Sequence, residues 1–283
     1  MSGQDSVLIV AFDGMDYELM KDFDLNILDM EEVGKIDNCS GINSRYTSEL
    51  FASFITGETW ETHGIVKLVR SDRSLIKRKL RQGLIPDFLV SNVRGFWRLN
   101  RATKRALSFL LRIDTLKYDK HDLERDTIFE EIDLSKPLFV PSYNPDLRWQ
   151  LNIPHKMAEV EERSSVREYS KKLTSSRLEE LHDLSFDFWN LIMIHLHDPD
   201  AVQDLSLGEY RQDYERLDSI AQDILERTPE GWTVIFMSDH GMMEEKQHNK
   251  NAFYASNREL FGDRIPHITD FYEKILYLVN PDS

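Results

Sequence analysis

The chain has 283 residues, 41% of them hydrophobic, with nine Pro and twelve Gly; this suits one large α/β domain or two small ones and is too apolar for a disordered protein. A single cysteine, Cys39, excludes an intramolecular disulfide framework and a cysteine-rich zinc site, and fits a reducing, cytoplasmic setting. The net charge of −15 argues against nucleic acid as a general ligand.

The opening "MSGQDSVLIVAFDG" has no basic n-region or cleavage pattern, so no secretory signal is expected, and no apolar run approaches the ~20 residues of a membrane span. "SVLIVAF" (6–12) is a short continuous apolar run, as expected of a strand buried on both faces. Asp13 and Gly14 follow it. "RYTSELFASFITGETWETHGI" (45–65) sets Thr47 and Ser48 immediately before a helical pattern that ends at Gly57. A hydroxyl there has two readings: a helix N-cap, or a group facing free N–H donors and the positive dipole end, suited to an incoming phosphoryl group.

Between Lys67 and Lys117 stand fourteen Lys/Arg against three Asp, a net +11, which leaves −26 on the remainder. This break marks 67–118 as an insertion or cap on the α/β core. Within it, 93–113 places Arg94, Arg98, Arg101, Arg105 and Arg112 along one helical stripe, with Phe96, Leu99, Ala106, Leu110 and Ile113 mainly on another. Three readings stand: a cap facing an anionic substrate, packing against the acidic body, or contact with anionic lipid.

"PLFVPSY" (137–143) is a shorter strand candidate, and "NLIMIHL" (190–196) is another buried one. "HLHDPDAVQD" then offers His195, His197, Asp198, Asp200 and Asp204. His195 and His197 lie two apart on a strand and share a face; they read either as a polar strand end or as ligands. The segment 207–228 places Tyr210, Tyr214, Leu217, Ile220, Ala221 and Ile224 at helical spacing, stopped by Pro229 and Gly231. "TVIFM" (233–237) is the third buried strand, followed by Asp239, His240 and, eight residues on, His248. A last helix is expected over 268–279. Alternating strands and helices predict a mostly parallel central sheet with helices on both faces. In such sheets ligands bind beyond the carboxyl ends of the strands, where all three buried strands carry acids.

Together "FDGMD", "YTSELFASFITGETWETHGI", "DPDAVQD" and "FMSDHGM" resemble the alkaline phosphatase superfamily, in its type I phosphodiesterase/nucleotide pyrophosphatase-like branch and the archaeal alkaline-phosphatase-like proteins. The resemblance spans most of the chain in the correct order, with 67–150 poorly matched. Thr47 stands ten before Gly57 of the Thr56-Gly57 pair, and His63-Gly64-Ile65 follows, with Trp60 where proline is usual. The resemblance implies a metal-dependent phosphoric ester hydrolase with Thr47 as nucleophile and a covalent phospho-threonine. It implies two divalent ions, Zn²⁺ or Mn²⁺: one on Asp13, Thr47, Asp239 and His240, the other on Asp200, Asp204 and His248. The family pattern has histidine where Asp204 stands, a harder and more anionic set that favours Mn²⁺ or Mg²⁺, with His195 or His197 as possible compensation. His63 is read as structural. The family's phosphate-binding asparagine has Leu50 in its nearest position, so substrate contacts beyond a neighbouring Arg45 are unassigned. Neither Cys39 nor Ser48 lies in a sulfatase motif. The expected partner is a small phosphorylated substrate. Competing readings are a phosphotransferase or mutase on the same scaffold, and a non-catalytic binding protein with a degenerate second metal site.

Overall fold

The computed structural model describes residues 5–66, 118–144, 163–200, 210–244 and 247–281. In chain order the strands are β1 (Val7–Phe12), β2 (Glu32–Lys35), β3 (Ser135–Leu138), β4 (Leu191–Leu196), β5 (Thr233–Met237), β6 (Met243–Glu244), β7 (Gln247–His248) and β8 (Phe253–Ser256). The helices are α1 (Tyr17–Phe23), α2 (Thr47–Thr56), α3 (Trp60–His63), α4 (Ile128–Glu131), α5 (Arg163–His182), α6 (Tyr210–Arg227) and α7 (Asp270–Val279). The basic segment 67–118, apart from Tyr118, its helical stretch 93–113, and Asp204 lie outside the described residues.

Six strands form one sheet in the order β2-β8-β5-β1-β4-β3, and β6 pairs with β7 in a separate hairpin. β1 pairs in parallel with β4 and β5, and β3 with β4; β8 runs antiparallel to both β5 and β2. The sheet is therefore mixed, with β8 alone reversed.

Both faces are covered, which is why β1, β4 and β5 read as unbroken apolar runs. Val7, Ile9 and Ala11 join one core with Leu50, Phe51, Phe54 and Ile55 of α2, and with Phe271, Ile275 and Val279 of α7. Leu8, Val10 and Phe12 join the other with Tyr214, Leu217, Ala221 and Ile224 of α6. Each fully buried Val, Leu, Ile or Phe contributes about 1.5–3 kcal/mol, so the register of β1 is strongly specified: a slip of one residue would exchange its two faces. α2 ends where Gly57 adopts φ 69°, and a Cβ there would lie 2.8 Å from the Tyr272 ring. Both the left-handed turn and the close approach of α7 demand glycine.

This register creates the site. Phe12 lies opposite Leu196, and Ala11 opposite Met237. Continuing past the strand ends sets Asp13 level with His197 on one side and Asp239 on the other.

Candidate active site

Asp13, Asp239 and His240 are fully buried where β1 and β5 end. Thr47 is the first residue of α2, after Tyr46, whose side chain makes no cap hydrogen bond. The Thr47 hydroxyl does not cap its own helix. It donates to Asp13 Oδ1 at 3.2 Å and lies 3.3 Å from His240 Nε2. His240 Nε2 is also 3.4 Å from Asp13 Oδ1 and 3.4 Å from Asp239 Oδ2. Its other nitrogen, Nδ1, lies 2.8 Å from the Gly241 carbonyl. A carbonyl only accepts, so Nδ1 holds the proton there, and in the neutral ring Nε2 keeps its lone pair for the cluster.

Asp200 reaches the same place through the backbone, its N–H donating to Asp13 O at 3.0 Å. His248 Nε2 is 3.7 Å from Asp200 Oδ1, and the His248 ring stacks on His240 at 3.6 Å. The His248 Nδ1 faces Arg45 O at 2.9 Å, and Arg45 Nε donates to the His248 carbonyl. Arg45 thus ties the hairpin carrying His248 to the loop before Thr47. Glu49, buried in the first turn of α2, accepts from Asn43 N–H, Ser44 N–H and Ser44 Oγ, and so folds that loop onto the helix.

The structure brings Asp13, Thr47, Asp239, His240, Asp200 and His248 together. His195 and His197 are buried nearby, but both face Asp13 Oδ2, at 3.4 and 2.9 Å, rather than the Asp200–His248 pair. Asp198 is turned away, accepting from Ser170, Thr174 and Arg216 and pinning the loop after β4 to α5 and α6. His63 is buried elsewhere, with Ser53 Oγ 3.0 Å from its Nε2 and Ile65 N–H donating to its Nδ1.

Asp16, two residues beyond Gly14, is a scaffold the sequence reading missed. Its Oδ1 caps α1 by accepting from Glu18 N–H and Leu19 N–H, and its Oδ2 accepts from Met242 N–H, Asn249 Nδ2 and Asn251 Nδ2. One carboxylate therefore fastens the β1 loop to the segment bearing His240 and His248. An Asp immediately before a helical run is a visible capping signal; its long-range partners are not.

Burial pushes the Asp13 carboxyl up, but hydrogen bonds from His195, His197 and His240 prevail and hold it well below the usual range. Asp239 goes the other way, to about 6, raised by burial and by the charge of Asp13 against the pull of His240 and His248. Burial lowers His240, yet Asp239, Asp13 and Asp200 outweigh it and push that imidazole up to about 10. The buried carboxylates thus hold a proton on His240 at the point where a bound cation would take its place. Asp239 Oδ2 is buried without a hydrogen-bond donor. Hard carboxylate oxygens and proton-free imidazole nitrogens suit a divalent cation. Among the described residues two groups have ligand atoms close enough to share one: Asp13, Asp239 and His240, and Asp200, His240 and His248. His240 belongs to both, and Nε2 can bind only one ion.

This mixed sheet, with its cluster at the carboxyl ends of β1, β4 and β5, has an alkaline-phosphatase-like fold. The chain matches the alkaline phosphatase of the Antarctic bacterium TAB5 over 100% of both chains, at 8% identity and a TM-score of 0.50. More narrowly, the chain belongs to the type I phosphodiesterase / nucleotide pyrophosphatase family, whose model matches residues 7–266. Murine ectonucleotide pyrophosphatase / phosphodiesterase 5 is similar at 14% identity and a TM-score of 0.46, over 84% of this chain and 57% of that one. The human form is similar at 14% identity and a TM-score of 0.42, with the same coverage. The chain thus spans little more than half the length of those two. No curated protein matches the sequence. Among the described residues no helix is long and apolar enough to cross a membrane.

Proposed function

We propose that the protein is a metal-dependent phosphoric ester hydrolase working through a phospho-threonine on Thr47. The observation that carries the reading is the Thr47 hydroxyl at the start of α2, within 3.3 Å of both Asp13 Oδ1 and His240 Nε2. Asp13, Thr47, Asp239 and His240 would hold one divalent ion. Asp200 and His248, with Asp204 as the expected third member, would hold the other. Such ions supply a lowered hydroxyl pKa and neutralise charge on phosphoryl oxygens. Thr47 Oγ1 then attacks phosphorus in line as the ester oxygen departs, and water cleaves the phospho-threonine to free Thr47 for another turnover. The positive end of the α2 dipole lies at Thr47 and would favour the incoming anion. Family membership favours a diester substrate.

Thr47→Ala should lower turnover of an aryl phosphodiester at least ~10³-fold, consistent with losing a nucleophile, while Mn²⁺ affinity falls far less. Retained turnover would remove Thr47 from the mechanism. The sharing of His240 between the two groups favours a second reading, a one-metal phosphotransferase. Transfer of the phosphoryl group to an added alcohol in preference to water would support it.

A further inference from the structure

Arg177 is 1% exposed, the largest fully buried side chain among the described residues, and the proposed reaction makes no use of it. It projects from α5 on the face shared with Ser170 and Thr174, which hold Asp198. Its guanidinium lies over the Phe139 ring at 4.8 Å. Nη1 donates to the His195 carbonyl at 2.6 Å and lies 3.3 Å from His195 Nδ1. A guanidinium has donors and no acceptor, so His195 Nδ1 must be the accepting nitrogen and the ring proton must sit on Nε2. That nitrogen is 3.4 Å from Asp13 Oδ2. His197 approaches the same oxygen through Nδ1, at 2.9 Å, so the nitrogen nearest the carboxylate differs between the two rings. The Phe51 ring meets His195 edge-on at 4.9 Å and fixes its plane. Among the described residues, neither imidazole belongs to a group whose atoms could share a cation.

We infer that Arg177, His195 and His197 are positioning residues for Asp13. Arg177 sets the His195 tautomer, and the two imidazole N–H groups engage Asp13 Oδ2, leaving Oδ1 turned towards Thr47 and His240. The inference rests on the reading of Asp13 as a metal ligand. Groups that orient a ligating carboxylate typically change metal affinity by about 10–100-fold when removed.

The two histidines use different nitrogens, which gives them opposite rescue rules. Glutamine places its amide nitrogen near the position of a histidine Nε2, and asparagine near that of Nδ1. Titration calorimetry with Mn²⁺ alone should find His195→Met and His197→Leu weakened by about 10–100-fold. His195→Gln and His197→Asn should stay within about threefold of the parent. Loss that is equal in the rescuing and non-rescuing variants, or absent from all four, would overturn the inference. Should a variant fail to fold, nitrogen NMR of the metal-free parent decides, because His195 must show a protonated Nε2 and a bare Nδ1. The reverse tautomer would overturn the inference outright. In Arg177→Met the His195 tautomers should become mixed, and an unchanged spectrum would remove Arg177 from the relay. Absence of Mn²⁺ binding by the parent would instead defeat the metal-dependent reading, which the tautomer measurement does not depend on.

Discussion

His63 and His240 are both fully buried imidazoles, and their surroundings send them in opposite directions. His240 sits among carboxylates. His63 has Ser53 Oγ and the Ile65 N–H as its neighbours, and burial pushes it down to about 4. The unfolded chain, with an ordinary histidine near 6.5, therefore binds a proton between about pH 6.5 and 4 that the folded chain refuses. The stabilisation is complete above pH 6.5 and is lost as pH falls towards 4, by an amount of order 3 kcal/mol. Denaturant unfolding across this range should show a shallower loss in His63→Gln than in the parent; parallel curves would contradict the account. At this scale Asp13, Asp200, Asp239 and His240 stood out by residue type at strand ends, whereas Thr47, equally readable as a helix N-cap, and His248 were singled out only by the family resemblance. Asp16, Arg177 and Asn249 were hidden, because their importance comes from partners that are remote in the chain.

β1, β4 and β5 were legible because burial on both faces makes them continuous apolar runs. β2 and β8 were not read: four residues each, "EVGK" and "FYAS", they give too little pattern. The last strand candidate, over 137–143, shifts to Ser135–Leu138. α5 escaped notice for a more physical reason. Its inward face carries Ser170, Thr174 and Arg177, which serve Asp198 and His195 instead of an apolar core, so its sequence lacks the usual stripe. The β5–β6 connection is equally constrained. A Cβ at Gly241 would fall 2.1 Å from Asn249 Oδ1 and 2.4 Å from Asp16 Oδ2, both inside the buried network that holds the His240 and His248 segment. Gly241→Ala should cost about 1–3 kcal/mol and weaken Mn²⁺ binding as His240 shifts. An unchanged melting temperature would show that this junction is looser than the packing implies.

For the molecule as a whole, charge and chemistry divide along the chain. The acidic remainder contains the cluster, while 67–117 holds the excess of arginine and lysine. If that segment acts as a cap, it selects the substrate and leaves the phosphoryl chemistry to the core. Removing 71–117 should then change the range of diesters cleaved while leaving a small aryl phosphate within about tenfold in kcat/KM, a difference of about 1.4 kcal/mol. Equal loss on both would make the segment part of the core. Chelation should abolish turnover and lower the melting temperature together, since an ion bound by the folded state alone stabilises it by mass action.

The most direct test of the central claim is to quench the Mn²⁺-loaded protein with acid during turnover of an aryl phosphodiester and map the covalent adduct by mass spectrometry. The account predicts a phosphoryl-type adduct on Thr47, carrying the retained ester group, which disappears in Thr47→Ala. Full turnover with the adduct on Ser48, or steady hydrolysis by Thr47→Ala, would contradict it.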